Sequence, residues 1–363
     1  MANLFFSPII KLLSMIVQKN LSSLPLRKTL IFPYLLRQSL YTFHFSLFTF
    51  YFLLSTFYFL VTPVSAQTLK VVVTVGMISD VVKNVGADCV EVSALMGPGV
   101  DPHLYKASAS DVRALQKADI IFYSGYHLEG QMAEVLEAFS ERKTSIAVAE
   151  KSIAESELLT IPNATAIDPH VWMDVSLWAR TADVIAQTLV QASPACKDSE
   201  LRAAAYKNQL SALHDWIKLS IATIPEQQRI LITAHDAFYY YSRAYGIEVQ
   251  AIQGVSTQSE ASIDDIRQTT KIVIEKKIPA IFIESSINPR TIQAVLEAVQ
   301  DQGATVTIGG QLFSDAMGND GTENGTYIGM LYHNTQTITH ALGGETLEIP
   351  TGLTPWSDYW SEQ

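Results

Sequence analysis

The chain has 363 residues, 48% of them hydrophobic and 17% charged, which is length and apolar content for two packed domains. Its formal charge of −11 at pH 7 makes nucleic acid and anionic membrane surfaces poor partners, while remaining compatible with a protein that handles cations. Two cysteines, Cys89 and Cys196, are too few for a disulfide framework; one bridge is compatible with an oxidising compartment, although nothing in the sequence brings the pair together.

Residues 1–66 differ from the remainder. They carry Lys11, Lys19, Arg27, Lys28 and Arg37 but no acidic residue, followed by the apolar "LYTFHFSLFTFYFLLSTFYFLV" and then "TPVSAQ". Basic residues, an apolar segment and a small-residue site form the order of a cleavable export signal, with cleavage expected after Ala66. The apolar stretch is also long enough for an uncleaved anchor. Without those five basic residues the remainder has 20 against 36 acidic side chains, a formal charge of −16.

After residue 66, short β-branched runs alternate with helical periods. "LKVVVTV", "VEVSAL", "DIIFYSG" and "TSIAVAE" read as strands, separated by the helical "MISDVVKNVG", "SASDVRALQKA" and "LEGQMAEVLEAFSE". Strands spaced by helices of this length pair in parallel. From Val175 the strand signal stops. "VSLWARTADVIAQTLVQASP" reads as one helix broken at Pro194, and "DSELRAAAYKNQLSALHDWIKLSIATIP" as a longer one, with Leu201, Ala204, Tyr206, Leu210, Leu213, Trp216 and Ile217 near a helical period. Alternation then resumes with "RILITAH", "IEVQAI", "IPAIFIES" and "ATVTIGG". The expected architecture is α/β with two lobes, each a mostly parallel sheet flanked by helices, joined by one long rigid helix. The boundaries are residues 67–197, a linking helix at 198–223, and residues 224–363. Open parallel sheets bind ligands beyond the carboxyl ends of their strands, so the crevice between the lobes is the expected site.

Asp-Pro-His occurs twice, at Asp101–His103 and Asp168–His170. Proline disfavours the α conformation before it and fixes its own φ. Asp is a good N-cap and Pro a good first helical residue, which predicts each histidine in the first turn of a helix, where the dipole disfavours imidazolium. Such a neutral imidazole can ligate a metal. Of seven histidines after residue 66, His103, His170 and His235 fall after strands, where an open sheet collects ligand-binding groups. His127, in "SGYHLEG", is expected as a wall residue or a supporting group behind the ligands. His214, His333 and His340 lie inside helical patterns. Among carboxylates, Asp315 follows the last strand in a Gly/Asn/Asp-rich loop, and Glu284 ends "IFIES", as a ligand or as an acceptor behind one.

Taken together, "DPHLYKASASDVRALQKADIIFYSGYHLEGQM", "DPHVWMDV", "TAHDAFYYYSRAYGIEVQAIQGVSTQSEAS", "IFIESSINPRTIQAV" and "LFSDAMGNDGTENGTYIGMLYHNTQTI" resemble the zinc/manganese-type, TroA-like solute-binding proteins of bacterial ABC importers. The similarity runs through residues 68–342. It implies two α/β lobes bridged by one helix and a metal held by two ligands from each: His103, His170, His235 and Asp315. Zinc-specific members often carry a His-rich acidic loop before the second ligand, whereas this chain has "EKSIAESELLTIPNATAI" there. The implied function is capture of a divalent metal, Zn2+ or Mn2+ with Fe2+ also accommodated, in the periplasm, and delivery to the cognate ABC permease and its ATPase in the inner membrane, by a monomer and without catalysis. Three imidazoles and a carboxylate suit zinc, and the Irving–Williams order gives zinc the higher affinity over manganese. With no cysteine near Ala66, a free periplasmic form and no lipoprotein is expected. A zinc-dependent hydrolase is the alternative, since three histidines and an aspartate could hold a catalytic zinc with water in an open position. A surface adhesin is a further reading, resting on family naming alone.

Overall fold

The computed structural model describes residues 68–161 and 166–362, together with Ser46, Thr49 and Tyr51. The chain divides into two units, Met1–Ser65 and Ala66–Gln363, and the three sheets of the described residues and the candidate site belong to the second. The expected export signal and its cleavage site lie outside the described residues, apart from those three positions. Among the described residues no helix is long and apolar enough to cross a membrane.

Four parallel strands, β1 (Leu69–Val73), β2 (Val90–Ala94), β3 (Ile120–Tyr123) and β4 (Thr144–Ala147), form the first sheet in the order β2-β1-β3-β4. The central strands β1 and β3 are the apolar, buried ones, whereas the edge strands β2 and β4 are more polar and more exposed. Between them run α1 (Gly76–Gly86), α2 (Ala109–Lys117) and α3 (Ala133–Ser140), with the short α4 (Val148–Ser152) after β4. A capping box closes the start of α2, where Ser108 and Asp111 bond each other's backbone amides.

The segment after Asp174 is shorter in its helical pieces than its periodicity predicts. Val175–Trp178 (α5) and Thr181–Ala192 (α6) are separate helices, and Asp174 caps the first by accepting from the amides of Ser176 and Leu177. The long helix α7 then runs unbroken over Ser199–Ala222. It packs against α1 and α6 on one side and against α11 (Tyr327–Ala341) on the other. Its buried face is Ala203, Tyr206, Leu210, Leu213, Trp216, Ile217 and Ile221. Two residues expected inside are outside: Leu201 is 73% exposed, and Ala204 is exposed where Ala203 is buried. The guanidinium of Arg202 donates to the carbonyls of Val85 and Gly86, and this anchor turns the first turns of the helix.

In the second half, β5 (Ile230–His235) pairs in parallel with β6 (Glu248–Gln253), and β7 (Ala280–Glu284) with β8 (Thr307–Leu312). These are two separate two-stranded sheets, but β5 lies beside β7, so the strands succeed one another as β6-β5-β7-β8, an order that parallels the first sheet. The helices here are α8 (Tyr239–Tyr245), α9 (Ile263–Lys276), α10 (Arg290–Asp301) and α11, with a last short helix α12 at Thr354–Ser361. One hydrophobic core extends from the first sheet through α7 to Phe282, Leu312 and Tyr327; a second fills the space between β5, β7, α9 and α10. Cys89 and Cys196 form a disulfide that ties the residue before β2 to the residues leading into α7.

Candidate metal centre

His103 lies in the segment after β2, His170 in the longer segment after β4, His235 at the carboxyl end of β5 and Asp315 shortly after β8. After β2 the chain continues alongside β1 to Met96, then turns through Gly97-Pro98-Gly99 and brings His103 back over the sheet. Gly99 adopts φ +71°, a left-handed conformation that suits glycine. His235 is the last residue of β5. Asp315 lies three residues past β8, where the carboxamide of Asn334 in α11 pins the intervening Phe313 through both its amide and its carbonyl.

Neither Asp-Pro-His opens a helix. Residues 102–104 form an isolated turn, and His170 precedes a single 3₁₀ turn at Val171–Met173. In both, the aspartate Oδ1 accepts the amide of the histidine two residues on, at 2.9 Å for Asp101 and 2.9 Å for Asp168. This local bond satisfies the amide in a turn and removes the incentive to start a helix. The helix dipole therefore plays no part in the charge state of either ring.

His103, His170, His235 and Asp315 nevertheless meet at one point, with one donor atom from each lying within 4.8 Å of all the others, and all four residues buried. His103 Nε2 stands 3.3 Å from His170 Nε2 and 3.7 Å from Asp315 Oδ2. Asp315 Oδ1 stands 3.3 Å from His170 Nε2, and Oδ2 3.1 Å from His235 Nε2. Metal–nitrogen bonds of 2.0–2.1 Å in a tetrahedron place their donors about 3.3 Å apart, so the spacing fits a four-coordinate cation. Both oxygens of Asp315 and the Nε2 of His235 are buried without a hydrogen-bond partner among the described residues. Their nearest polar neighbours are one another, Asp315 Oδ2 against His235 Nε2 and Oδ1 against His170 Nε2, and a shared cation would satisfy all of them.

Two rings are braced from behind. Asp168 Oδ1 meets His170 Nδ1 at 2.7 Å, and Glu284 Oε2 meets His235 Nδ1 at 2.5 Å. Glu284 Oε1 also accepts the amides of Ala234 and His235. A carboxylate on Nδ1 fixes the tautomer that leaves Nε2 free to ligate. Burial opposes charge on both rings; for His170 the Asp168 and Asp315 carboxylates outweigh it and bring the pKa up to about 9, and for His235 Glu284 and Asp315 raise it well above the usual value. Burial dominates at His103, drawing it down to about 4. The Asp315 carboxyl is held well below its ordinary range, because the His235 and His170 imidazoles overcome its desolvation.

His127 is not brought to this cluster. It adopts φ +61° in the turn after β3 and lines a cavity of about 200 Å³ with Tyr123, Gly125, Glu129 and Glu150. Glu129 is a buried carboxylate that the sequence did not point to; it accepts from the Thr74 hydroxyl and the amides of Ser124 and Gly125, holding the ends of β1 and β3 together. The role of Asp168 behind His170 was also missed, and its signal was available: an aspartate two residues before a candidate ligand histidine. Trp172 adds a strut between the segments bearing His170 and Asp315, donating from Nε1 to the carbonyl of Ser314, while the carbonyl of Trp172 accepts from the Tyr327 hydroxyl.

Residues 71–341 match the family model described as zinc-uptake complex component A, periplasmic, and the chain belongs to that family of metal-binding transport components. Over 277 residues it is 46% identical to the manganese-binding lipoprotein MntA of Bacillus subtilis, spanning 76% of this chain and 90% of the relative. It is 47% identical over 273 residues to the zinc-binding protein TroA of Treponema pallidum, spanning 75% and 88%. The solved structure of the periplasmic zinc-binding protein TroA from that organism superposes with a TM-score of 0.74 at 46% identity, covering 76% of this chain and 99% of the other. These matches bear out the resemblance and the two-lobed α/β architecture. They overturn the expectation that the protein is not a lipoprotein, because several relatives are named lipoproteins. A basic and apolar leader signals export without distinguishing a diffusing product from an anchored one, and the assumed cleavage site lies outside the described residues.

Proposed function

We propose that His103, His170, His235 and Asp315 together bind one divalent transition-metal ion as cargo, and that the chain captures it outside the cytoplasmic membrane for hand-over to an ABC permease and its ATPase. The observation that carries this reading is the buried convergence of four donors, three of whose atoms lack any other partner among the described residues. The lobes are taken as residues 67–197 and 224–363, joined by the helix at 198–223, with His103 and His170 contributed by the first and His235 and Asp315 by the second. The protein acts as a monomer. Three imidazoles and one carboxylate accept zinc, manganese or ferrous iron, with zinc bound more tightly than manganese. Two relatives of near-equal identity, one named for manganese and one for zinc, support a site open to both.

A carrier is favoured over a hydrolase by the fate of Glu284. A hydrolytic site needs a carboxylate to activate water, and Glu284 instead has both oxygens engaged, one on the His235 ring and one on two backbone amides. The test is elemental analysis of protein isolated from its native envelope. One metal per chain is expected, falling to a small fraction in His103→Ala and Asp315→Ala, with no turnover of ester, amide or phosphate substrates. Variants that keep their full metal content would refute the assignment.

A further inference from the structure

The last helix, α12, carries its aromatic residues on one face, with Trp356, Tyr359 and Trp360 at i, i+3 and i+4. Only part of that face reaches the core. Trp356 is buried and fixed, its Nε1 donating to the Thr326 hydroxyl at 3.1 Å, whereas Tyr359 is 57% exposed and meets the Trp360 ring edge-on at 4.9 Å. The three rings line a cavity of about 330 Å³ together with Asp80 and Asn84 from α1 and Tyr206 and Gln209 from α7. That volume is at the lower end of small-molecule sites, which begin at about 300 Å³. One charged side chain lines it. Asp80 is buried, and its Oδ2 accepts from the Tyr206 hydroxyl at 2.6 Å and the Asn84 carboxamide at 3.2 Å. Burial outweighs these bonds and raises the carboxyl above its usual range. Lys83, also on α1, lines an adjoining cavity and not this one. The Asn84 NH₂ is engaged with Asp80, which leaves its oxygen as a spare acceptor, and the Gln209 carboxamide has no hydrogen-bond partner among the described residues.

We propose that this cavity is a second binding site, separate from the metal centre, and that it takes a small organic cation of the alkylammonium class. The chemistry of the lining excludes the other classes. An anion would be repelled by Asp80, and a neutral apolar solute would bury the carboxylate further without compensating its charge. A bare metal ion would find a single carboxylate here, whereas among the described residues three or more metal-ligating side chains converge only at His103, His170, His235 and Asp315. An alkylammonium spreads its positive charge over apolar methyl or methylene surface. It can therefore lie against the negative faces of Trp356, Tyr359 and Trp360 while facing Asp80 and the free amide oxygens. The rings come from a segment beyond residues 71–341, the part that the family model matches, so this site is a feature of the chain's own C-terminal helix. It does not depend on the metal reading above.

The test is calorimetric titration of the full-length protein with choline and with its neutral analogue, in which a quaternary carbon replaces the nitrogen. One choline per chain is expected, with the analogue at least about tenfold weaker, the effect of losing a desolvated cation–π contact. Trp360→Leu should weaken choline binding by about tenfold while zinc uptake stays at the wild-type level. Asp80→Asn, which keeps an acceptor for the Tyr206 hydroxyl and removes the charge, should weaken it likewise. No saturable choline binding overturns the site. Equal binding of choline and its analogue overturns it too, by reducing the cavity to an apolar groove, and undiminished binding by Trp360→Leu places the ligand elsewhere. Phosphatidylcholine vesicles that displace free choline would identify a lipid headgroup as the bearer of the cation, and failure to displace it a free solute; either result supports the site.

Discussion

Replacing Glu284 with glutamine tests whether the site depends on groups behind the ligands. The carboxylate serves three donors: the amides of Ala234 and His235 at 2.8 and 2.9 Å on one oxygen, and His235 Nδ1 at 2.5 Å on the other. Glutamine has one acceptor oxygen. If that oxygen stays with the amides, the NH₂ faces Nδ1 and selects the tautomer with its proton on Nε2, the atom that must be bare to ligate. If it turns to the ring, the NH₂ confronts two N–H donors. Either way a buried donor loses its acceptor, at about 1–3 kcal/mol. At about 1.4 kcal/mol per decade this is roughly tenfold to hundredfold weaker metal binding, in line with the usual effect of disturbing the partner of a ligand histidine. The assay is competition against a chelator of known affinity, with circular dichroism to establish that the fold is retained. A second readout is independent of the first. Glu284 helps to hold a proton on His235 in the metal-free chain, so its loss should reduce the number of protons released on binding by about one. Affinity within twofold of wild type, with an unchanged proton count, would refute the reasoning.

In the metal-free chain His170, at about 9, and His235, well above its usual range, both carry protons between pH 6 and 8, while His103, at about 4, does not. Metal binding must expel those protons, so affinity rises with pH by about two decades per unit and falls roughly 10⁴-fold from pH 8 to pH 6; calorimetry in buffers of different ionisation enthalpy counts the protons, and fewer than one would contradict the scheme. Cys89→Ser/Cys196→Ser removes a bridge spanning 107 positions, and the entropy of that loop sets the loss at about 4–5 kcal/mol. Guanidinium unfolding of the double variant should show a clearly lower midpoint, and an unshifted one would show that the bridge contributes nothing.

The strands were legible because parallel strands buried on both faces read as apolar runs, and because the chemical residues sit at their ends: "ILITAH" closes on His235 and "AIFIE" on Glu284. The four candidate ligands followed from that placement together with the resemblance, and the structure brings them to one point. What stayed hidden was decided by side chains bonding to backbone over short distances. Asp101 and Asp168 satisfy the amides two residues on, and so make turns where the cap-and-proline pattern predicts helices. The facing of α7 was off at its start because Arg202 anchors it to the end of α1, a contact between residues more than a hundred positions apart. The pairing of Cys89 with Cys196 and the burial of Glu129 likewise depend on which loops the fold brings together, information that no local window contains.

The unbroken helix at Ser199–Ala222 has a consequence for how cations are told apart. A rod packed against α1 and α6 on the first half and α11 on the second has no soft torsion at which the halves could close far, so the separation of the proposed donor pairs is largely preset. Adjustment to ionic radius must then come from the turns that bear the donors, such as those around His103 and Asp315. Two chains with the same three histidines and aspartate but turns of different compliance would rank the same ions differently, one filtering by size and the other by bond strength alone.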